Sequence, residues 1–299
     1  MGSDELGERA IGVVGTGRVA QALGRLLADR GEPVTCVFGR HPGRTAEAAQ
    51  FIGGAAAPAP LAQLARSVRR VLIAVPDSGV PQAAEALAQA GYTGGLALHT
   101  SGALGPEALD ALARLGVSCA ALHPLQTFAT RQQGMAVLPG SSFGLSGEGA
   151  ARAWAESVVH CLHGHILNIR AADRPRYHAA AVMASNYVVG LIGAAVMLMK
   201  TAGISETDAL RALGPLIEAS VENALSLGPV QALTGPVARG DATTVRLHLA
   251  SLRDADERLR ALYRAAGLQV LALAVSRGLE PELAAKLEIA LTDDGEGNG

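Results

Sequence analysis

The sequence has few aromatic side chains and almost no net charge. Its 299 residues include four phenylalanines, four tyrosines and one tryptophan, so few rings are available to stack on the bases of a single strand. The formal net charge of −2 gives no general attraction to a phosphate backbone. We therefore expect no nucleic-acid partner.

Cysteine is also scarce, and no secretory leader is evident. Cys36, Cys119 and Cys161 are widely separated and odd in number, which is typical of a reducing compartment rather than of a disulfide framework. The first ten residues, MGSDELGERA, lack both the basic and the apolar segment of a signal peptide. These features predict a cytoplasmic protein.

Short apolar runs alternate with helical patterns in the first part of the chain. This alternation is typical of βαβ units in a parallel sheet that is covered on both faces. The runs that we expect to be strands are 10–15, 33–38, 71–75, 95–99, 117–123, 141–145 and 165–169.

From about Ala172 only helical periodicity remains, over 173–202, 205–227, 243–265 and beyond. We therefore predict the α/β class, with a doubly wound parallel sheet in 1–170 and an all-helical domain in 171–292. The polar, glycine-rich segment 293–299 is expected to be a disordered tail.

A glycine-rich loop follows the first apolar run and opens a helix. In this position a G-x-G-x-x-A pattern is typical of a Rossmann-type dinucleotide site. The first glycine permits a tight turn, the second leaves room for a pyrophosphate, and the alanine lets helix and strand pack closely. The free N–H groups of the helix attract phosphate. The predicted cofactor-binding residues are Gly15, Thr16, Gly17, Arg18, Val19 and Ala20.

The end of the second strand indicates which dinucleotide is bound. A cofactor with a free ribose 2′-hydroxyl usually meets a carboxylate there, but this chain reads FGRHPGR over 38–44. A guanidinium fork suits a 2′-phosphate. We therefore predict NADP(H), with Arg40 as the leading contact and Arg44 as the second.

Polar residues follow three later strands, at the edge where ligands of such sheets bind. We expect Val75 and Pro76 to line the cofactor site, and Ser101 to contact the cofactor or orient the substrate. His123 either binds substrate or only caps its loop. The segment HCLHGH at 160–165 would place His163 and His165 on one strand face, but its spacing matches no zinc ligand set, so we predict no metal.

The segment YHAAAVMASNY opens the most apolar stretch of the chain. Ala179 to Met199 is long enough to cross a bilayer, but it also suits the buried central helix of an enzyme. Its mid-chain position after a sheet favours the enzyme, so we expect no membrane partner. On a helix, His178 and Ser185 lie on one side and Asn186 beside them. Histidine is suited to donating a proton near neutral pH, so we predict His178 as the acid and Asn186 as a catalytic residue that orients the substrate, with Ser185 binding it.

LTGPVARGD at 233–241 interrupts the later helices, because Gly235 and Pro236 oppose a regular helix there. Arg239 either holds a substrate carboxylate bidentately or pairs with Asp241 to fix the loop. Both alternatives remain open at this point.

Several segments together resemble a known family over roughly residues 10–290. The segments are VVGTGRVA, VPDSGV, HTSGAL, HPLQTF, YHAAAVMASNY and LTGPVARGD. The family joins a Rossmann-like domain to a helical C-terminal domain formerly of unknown function. It is similar to the 6-phosphogluconate dehydrogenase-like superfamily, which includes ketopantoate reductase and pyrroline-5-carboxylate reductase.

The resemblance implies an NADP(H)-dependent oxidoreductase and a homodimer built through the helical domain. The resemblance does not settle the substrate. We predict reduction of a small 2-oxo acid such as ketopantoate, with a cyclic imine or a non-catalytic NADP(H)-binding role as alternatives. One departure stands out. Many superfamily members carry a lysine one helical turn before an asparagine that matches Asn186, but Val182 stands there and the next lysine is Lys200. His178 is the best substitute for that lysine.

Overall fold

A computed structural model describes residues 9–253 and 256–293. The expected absence of a leader rests on the first ten residues, and the expected disordered tail begins at 293, so both lie almost wholly outside the described residues. The chain divides into two compact units, one up to Val188 and one from Val189 onward. The boundary near 170 follows the last strand, which ends at Asn168, whereas the division by compactness comes later.

The first unit contains an eight-stranded sheet in the order β3-β2-β1-β4-β5-β6-β7-β8. The strands are β1 Ile11–Val14, β2 Val34–Phe38, β3 Ala57–Pro58, β4 Arg70–Ile73, β5 Leu96–His99, β6 Ser118–Pro124, β7 Ser142–Gly147 and β8 His165–Asn168. This order, with β1 in the middle and helical crossovers, confirms the doubly wound α/β class. All seven predicted strands are present.

Two features of the sheet differ from the sequence-based expectation. The edge strand β3 has only two residues, one of them a proline, so no apolar run marked it. Strand β7 pairs antiparallel with β6, because the chain returns through a short helix after β6. Strand direction leaves no trace in the apolar pattern, so this reversal could not be read from the sequence.

The helices of the described residues follow in chain order. They are α1 Arg18–Asp29, α2 Pro42–Ile52, α3 Leu61–Ser67, α4 Val80–Gln89, α5 Asp110–Ala113, α6 Arg131–Val137, α7 Gly149–Cys161, α8 Arg174–Ala184, α9 Asn186–Thr201, α10 Glu206–Leu227, α11 Pro229–Ala232, α12 Gly235–Ala238, α13 Ala242–Ser251, α14 Glu257–Ser276 and α15 Pro281–Thr292. Single turns of 3₁₀ helix occur at Asp77–Gly79, Pro106–Leu109 and Ala171–Asp173.

Helices cover both faces of the sheet, as the alternating pattern predicts. On one face, Leu23 of α1 and Trp154 of α7 are buried in a cluster with Val13 and Val37 of the strands. On the other face, Leu64 of α3, Leu87 of α4 and other buried side chains cover Val71 and Ile73. Burial on both faces explains why the strands read as continuous apolar runs.

The predicted helix over 173–202 is divided at Ser185, whose backbone (φ −126°, ψ −76°) is not helical. Its hydroxyl lies 2.7 Å from the carbonyl oxygen of Ala181 and 3.0 Å from Oδ1 of Asn186. A serine hydroxyl that bonds to the carbonyl four residues back often bends a helix. The polar pair that was expected to face a ligand therefore marks a break between α8 and α9.

The second unit is helical, as predicted, but the interruption at 233–241 is not a simple loop. Gly235–Ala238 forms one helical turn, because proline is tolerated in a first turn, where its missing N–H has no helical acceptor. Asp241 then caps α13: its carboxylate accepts hydrogen bonds from Thr244 N and Thr244 Oγ1, at 3.0 and 2.6 Å. No ion pair joins Arg239 to Asp241 in the part of the chain that the structure describes.

One helical stretch of the described residues, Ala171–Thr201, is long and apolar enough to cross a membrane by length and composition. A core helix of a soluble protein passes the same test. Only 6% of this apolar window is buried within the chain, so the buried central helix that the sequence suggested is not observed in a single copy.

Candidate functional site

A cavity of about 1150 Å³ lies in the first unit, at the carboxyl ends of the strands. This edge is where open α/β sheets bind their ligands. The volume exceeds the roughly 300–1,000 Å³ of a drug-sized ligand site, so the cavity has room for a dinucleotide-sized molecule and a small second ligand.

The glycine loop forms one wall of the cavity. Gly15 has a φ of 127°, and a Cβ there would lie 2.1 Å from the carbonyl oxygen of Ala74, so only glycine fits this turn. A Cβ on Gly17 would meet no protein atom within 4 Å, which leaves open space beside the first turn of α1. No side chain caps this helix end, so its N–H groups remain available to an anion.

Each predicted loop residue has a defined place. Gly15, Thr16, Gly17, Arg18 and Val19 line the cavity. Ala20 does not; it is fully buried, where its small side chain permits close helix–strand packing. Arg18 Nη1 also donates a hydrogen bond of 3.1 Å to the carbonyl oxygen of Phe128, and this bond ties the glycine loop to the segment that follows β6.

Arg40 and Arg44 line the cavity together with His41. Their loop is held by Thr45, whose hydroxyl lies 2.9 Å from the carbonyl oxygen of His41. Neither arginine has an ion-pair partner among the described residues, and both are exposed. Two uncompensated guanidinium groups therefore face the end of the cavity beyond β2, where they can bind an anion.

Two histidines face each other at another part of the wall. His123 of β6 and His178 of α8 have ring centroids 5.5 Å apart and nearly perpendicular planes. Both rings pass close to Gly102: a Cβ on that glycine would lie 2.2 Å from His178 Nδ1 and 3.0 Å from His123 Nε2. His178 Nδ1 is buried and has no hydrogen-bond partner within the described ranges. The sequence predicted both residues, and the structure brings them together.

The neighbouring loop after β5 revises the assignment of Ser101. Its side chain is buried and does not line the cavity, whereas Thr100 and Gly102 do. Ser101 Oγ accepts a hydrogen bond of 3.1 Å from Leu104 N, and Ser101 N donates to His99 Nδ1 at 3.2 Å. Ser101 therefore shapes the loop instead of presenting its hydroxyl to a ligand.

The remaining predicted residues have mixed placements. Val75 and Pro76 line the cavity. Ser185 and Asn186 belong to the first unit but do not line the cavity. Arg239 belongs to the second unit.

His163 lies in a turn with φ of 53° and only His165 is in β8, so they do not share a strand face. The described residues hold no group of three or more potential metal ligands.

Arg174 and Tyr177 are site residues that the sequence reasoning missed. Arg174, at the start of α8, is fully buried, and its Nη2 donates a hydrogen bond of 2.6 Å to the carbonyl oxygen of Ser101. Tyr177 follows one turn later, and its hydroxyl lies 2.9 Å from His123 Nδ1. The sequence held one usable signal: positions 174, 177 and 178 share one face of a helix.

Burial sets the charge state at this end of the cavity. It lowers the pKa of His123 to about 4, and the charges of His178 and Arg174 act in the same direction. Burial likewise lowers the pKa of His99 to about 4. His123 and His99 are therefore neutral near pH 7, in contrast to the arginines at the other end.

Comparisons with known families agree with this two-part architecture. Residues 5–124 match the model of a Rossmann-like domain, and residues 141–270 match DUF2520, a domain of unknown function. The chain joins a Rossmann-like domain to a DUF2520 domain. No curated protein matches it in sequence.

Solved structures share the fold at low sequence identity. A candidate NADP oxidoreductase from Bacteroides fragilis is 21% identical with a TM-score of 0.72, and the match covers 90% of this chain and 99% of that one. Protein TM1727 from Thermotoga maritima is 22% identical with a TM-score of 0.69, covering 89% and 98%. A reductive aminase from Aspergillus terreus, in complex with NADPH4, cyclohexanone and allyl amine, is 17% identical with a TM-score of 0.58, covering 94% and 91%.

The packing of both imidazoles over Gly102 leads to a first prediction. Gly102→Ala should lower the free energy of unfolding by about 1–3 kcal/mol, because the new methyl group overpacks the site and displaces the His178 ring. Urea unfolding measures this change.

Gly43→Ala is the matched control, because a Cβ at that position meets no atom within 4 Å and lies in the first turn of a helix. It should leave stability unchanged or slightly raised. Equal stability of the two variants would contradict the placement of His178 over Gly102.

Proposed function

We propose that the protein is an NADP(H)-dependent reductase of a small 2-oxo acid, most similar in activity to ketopantoate reductase. One observation carries the proposal: a single cavity joins an uncapped helix N-terminus, two unpaired arginines and a pair of facing histidines. The first two features suit the phosphates of a dinucleotide, and the third suits proton transfer at a reacting carbonyl.

The residues present fit this cofactor. The open space at Gly17 is where a Cβ would otherwise fill the position of a pyrophosphate. Arg40 and Arg44 would hold the 2′-phosphate, and Val75 and Pro76 would line the path between the phosphates and the reacting end. When bound, the cofactor supplies a hydride. The Bacteroides and Aspergillus proteins, by their names or bound ligands, support the choice of NADP(H).

At the reacting end, the histidines supply what hydride addition to a carbonyl requires. The carbonyl oxygen gains negative charge as the C–H bond forms, and a proton must reach it. The His178 side chain lines the cavity, and we assign it the role of delivering that proton to the substrate oxygen. Burial of the surrounding wall excludes water from the oxygen and strengthens these interactions.

Reduction of a C=N bond is the second candidate activity. It is favoured by the similarity to a reductive aminase, whose ketone and amine ligands would combine to form such a bond. A cyclic imine such as pyrroline-5-carboxylate is the corresponding small substrate. A third reading, a non-catalytic NADP(H)-binding regulator, would retain the arginines and show no turnover of any substrate.

Cofactor choice is tested by Arg40→Ala. The variant should bind NADPH about tenfold more weakly, because one charge-assisted hydrogen bond to the phosphate is lost, and its NADH affinity should hardly change. Calorimetry measures both affinities.

Arg66→Ala removes an exposed arginine that does not line the cavity and serves as the control. A wild-type protein that shows no preference for NADPH over NADH would overturn the assignment of Arg40.

Substrate class is tested by NADPH oxidation with a panel of 2-oxo acids and cyclic imines. The wild type should turn over a 2-oxo acid, and His178→Ala should lower its kcat by about 10²-fold or more, because a general acid is lost. For an imine the same variant should keep most of its rate, since an iminium is already protonated. Tight NADPH binding without turnover across the panel would favour the regulator.

We also propose a homodimer built through the helical unit. Helix α10 exposes large apolar side chains along much of its length, including Leu216, Val221, Leu225 and Leu227, and Leu225 is 83% exposed. Contiguous exposed apolar surface of this kind is typical of association sites. A second copy of the chain would cover this apolar surface of α10, so that no membrane is needed to bury it.

Leu225→Glu should convert the dimer to a monomer, because it places a charge in the apolar interface. Light scattering after gel filtration, without detergent, measures the mass. Leu115→Glu, at an exposed apolar residue of the first unit, should leave the mass unchanged. A wild-type protein that is monomeric, or soluble only in detergent, would exclude this assembly.

A further inference from the structure

The buried guanidinium of Arg174 has no anionic partner in the part of the chain that the structure describes. Its hydrogen bonds go to the carbonyl oxygens of Ser101 and Gly144 and to Ser146 Oγ, at 2.6, 3.4 and 3.0 Å. All three groups are neutral, and Arg174 Nε has no partner. Buried charges are normally paired, so this cation exerts its field on the groups around it.

One group that the charge of Arg174 affects is the imidazole of His123, whose pKa it lowers. Burial is the main cause that lowers the pKa of this imidazole, and the charges of His178, Arg174 and His99 add to it, while Asp77 opposes them. His123 is therefore uncharged over the whole physiological range. It cannot act by giving up a positive charge, and its function must depend on where its single N–H proton is.

Tyr177 decides that position. Its hydroxyl lies 2.9 Å from His123 Nδ1, and the two rings meet edge to face. Burial raises the pKa of Tyr177, although Arg174 and a backbone hydrogen bond with Gly144 act in the opposite direction, so the phenol keeps its proton. An imidazole nitrogen is a better acceptor than a phenol oxygen, so the O–H donates to Nδ1 and the His123 proton resides on Nε2.

His123 Nε2 faces the cavity. Both it and His178 Nδ1 point to the space over Gly102, because a Cβ on that glycine would lie 3.0 Å from the one nitrogen and 2.2 Å from the other. All three residues line the cavity. A ligand atom in the cavity next to His123 would therefore meet one fixed N–H donor, at Nε2.

We propose that His123 donates a hydrogen bond from Nε2 to the substrate, that Tyr177 fixes this tautomer through the hydrogen bond at Nδ1, and that Arg174 holds the helix turn that carries Tyr177. His123 would contact the substrate, whereas Tyr177 and Arg174 are positioning residues. The inference rests on the proposed reductase function and refines its substrate class. A carbonyl oxygen accepts such a hydrogen bond, but an iminium nitrogen has no free lone pair. The fixed donor therefore favours a carbonyl over an iminium substrate.

The tautomer is tested on the ligand-free protein with ¹⁵N-labelled histidine and NMR, without any substrate. His123 should show the Nε2–H form from about pH 5 to 9. Tyr177→Phe should leave a mixture of both tautomers. Tyr92→Phe is the matched control, because Tyr92 is also buried and its hydroxyl bonds to two backbone carbonyls, but it does not line the cavity. An Nδ1–H form, or titration of His123 near pH 6.5 in the wild type, would overturn the proposal.

Kinetics then test the donor role with the 2-oxo acid that the panel identifies. His123→Ala should lower kcat by about 10²-fold, as for loss of one oxyanion donor, and His123→Gln, which keeps an N–H group, should recover part of it. Tyr177→Phe should lower kcat without changing the NADPH affinity or the shape of the pH profile. A changed pH profile would show that His123 titrates and would reject its neutral role.

Failure of the proposed reductase function can be distinguished from failure of the donor role of His123. If the panel shows no turnover but His123 has the fixed Nε2–H tautomer, the reductase function fails and the positioning by Tyr177 stands. If turnover is observed and His123→Ala retains full activity, the function stands and the donor role fails. Where Tyr177→Phe does not fold, the wild-type spectrum alone still decides the tautomer.

Discussion

The arrangement of the reacting end depends on the hydrogen bonds of one buried arginine. Arg174 joins the loop after β5 to β7 through the carbonyl oxygen of Ser101 and the hydroxyl of Ser146. Because these bonds fix the first turn of α8, they also fix Tyr177 and His178, which follow three and four residues later on the same face. Removing such a partner from a buried network leaves several groups unsatisfied. The position of the His178 imidazole therefore depends on this one attachment, and so does that of the Tyr177 hydroxyl that contacts His123.

The two ends of the cavity differ in exposure and in charge. Exposed arginines occupy the end beyond β2, where solvent can screen them and an anion can replace their hydration. The half-buried imidazoles of His123 and His178 occupy the end beyond β6, and burial lowers the pKa of His123. Hydrogen bonds are stronger in such a low-dielectric region, so a small change in charge on a bound molecule changes the interaction energy most there. Phosphates and a reacting carbonyl would each meet the environment that suits them.

Much of this could be predicted from the sequence, because the relevant signals are local. Short apolar runs that alternate with helical patterns located the strands, and the G-x-G-x-x-A pattern with two later arginines indicated one half of the cavity. His178 was found because a titratable residue on an apolar helix is unusual.

Other features depend on contacts between distant segments and could not be read locally. Arg174 escaped notice because arginine is normally exposed, and only the fold shows that carbonyl oxygens surround it. Ser101 was misassigned because a serine at the sheet edge looks available until its partner, Leu104 N, is known. The reversal of β7, which brings Gly144 opposite His123, has no counterpart in the residue pattern.

The same arginine offers a reason for the missing lysine. A lysine near the imidazole pair would add a second permanent cation close to a guanidinium that has no carboxylate partner in the described residues. Like charges repel most strongly where the effective dielectric constant is low, and the cost of desolvating a second cation adds to this repulsion. A histidine does not add a permanent cation, and its ring nitrogens can still exchange a proton. A buried, unpaired Arg174 and a lysine acid are thus poorly compatible, and the chain has the arginine.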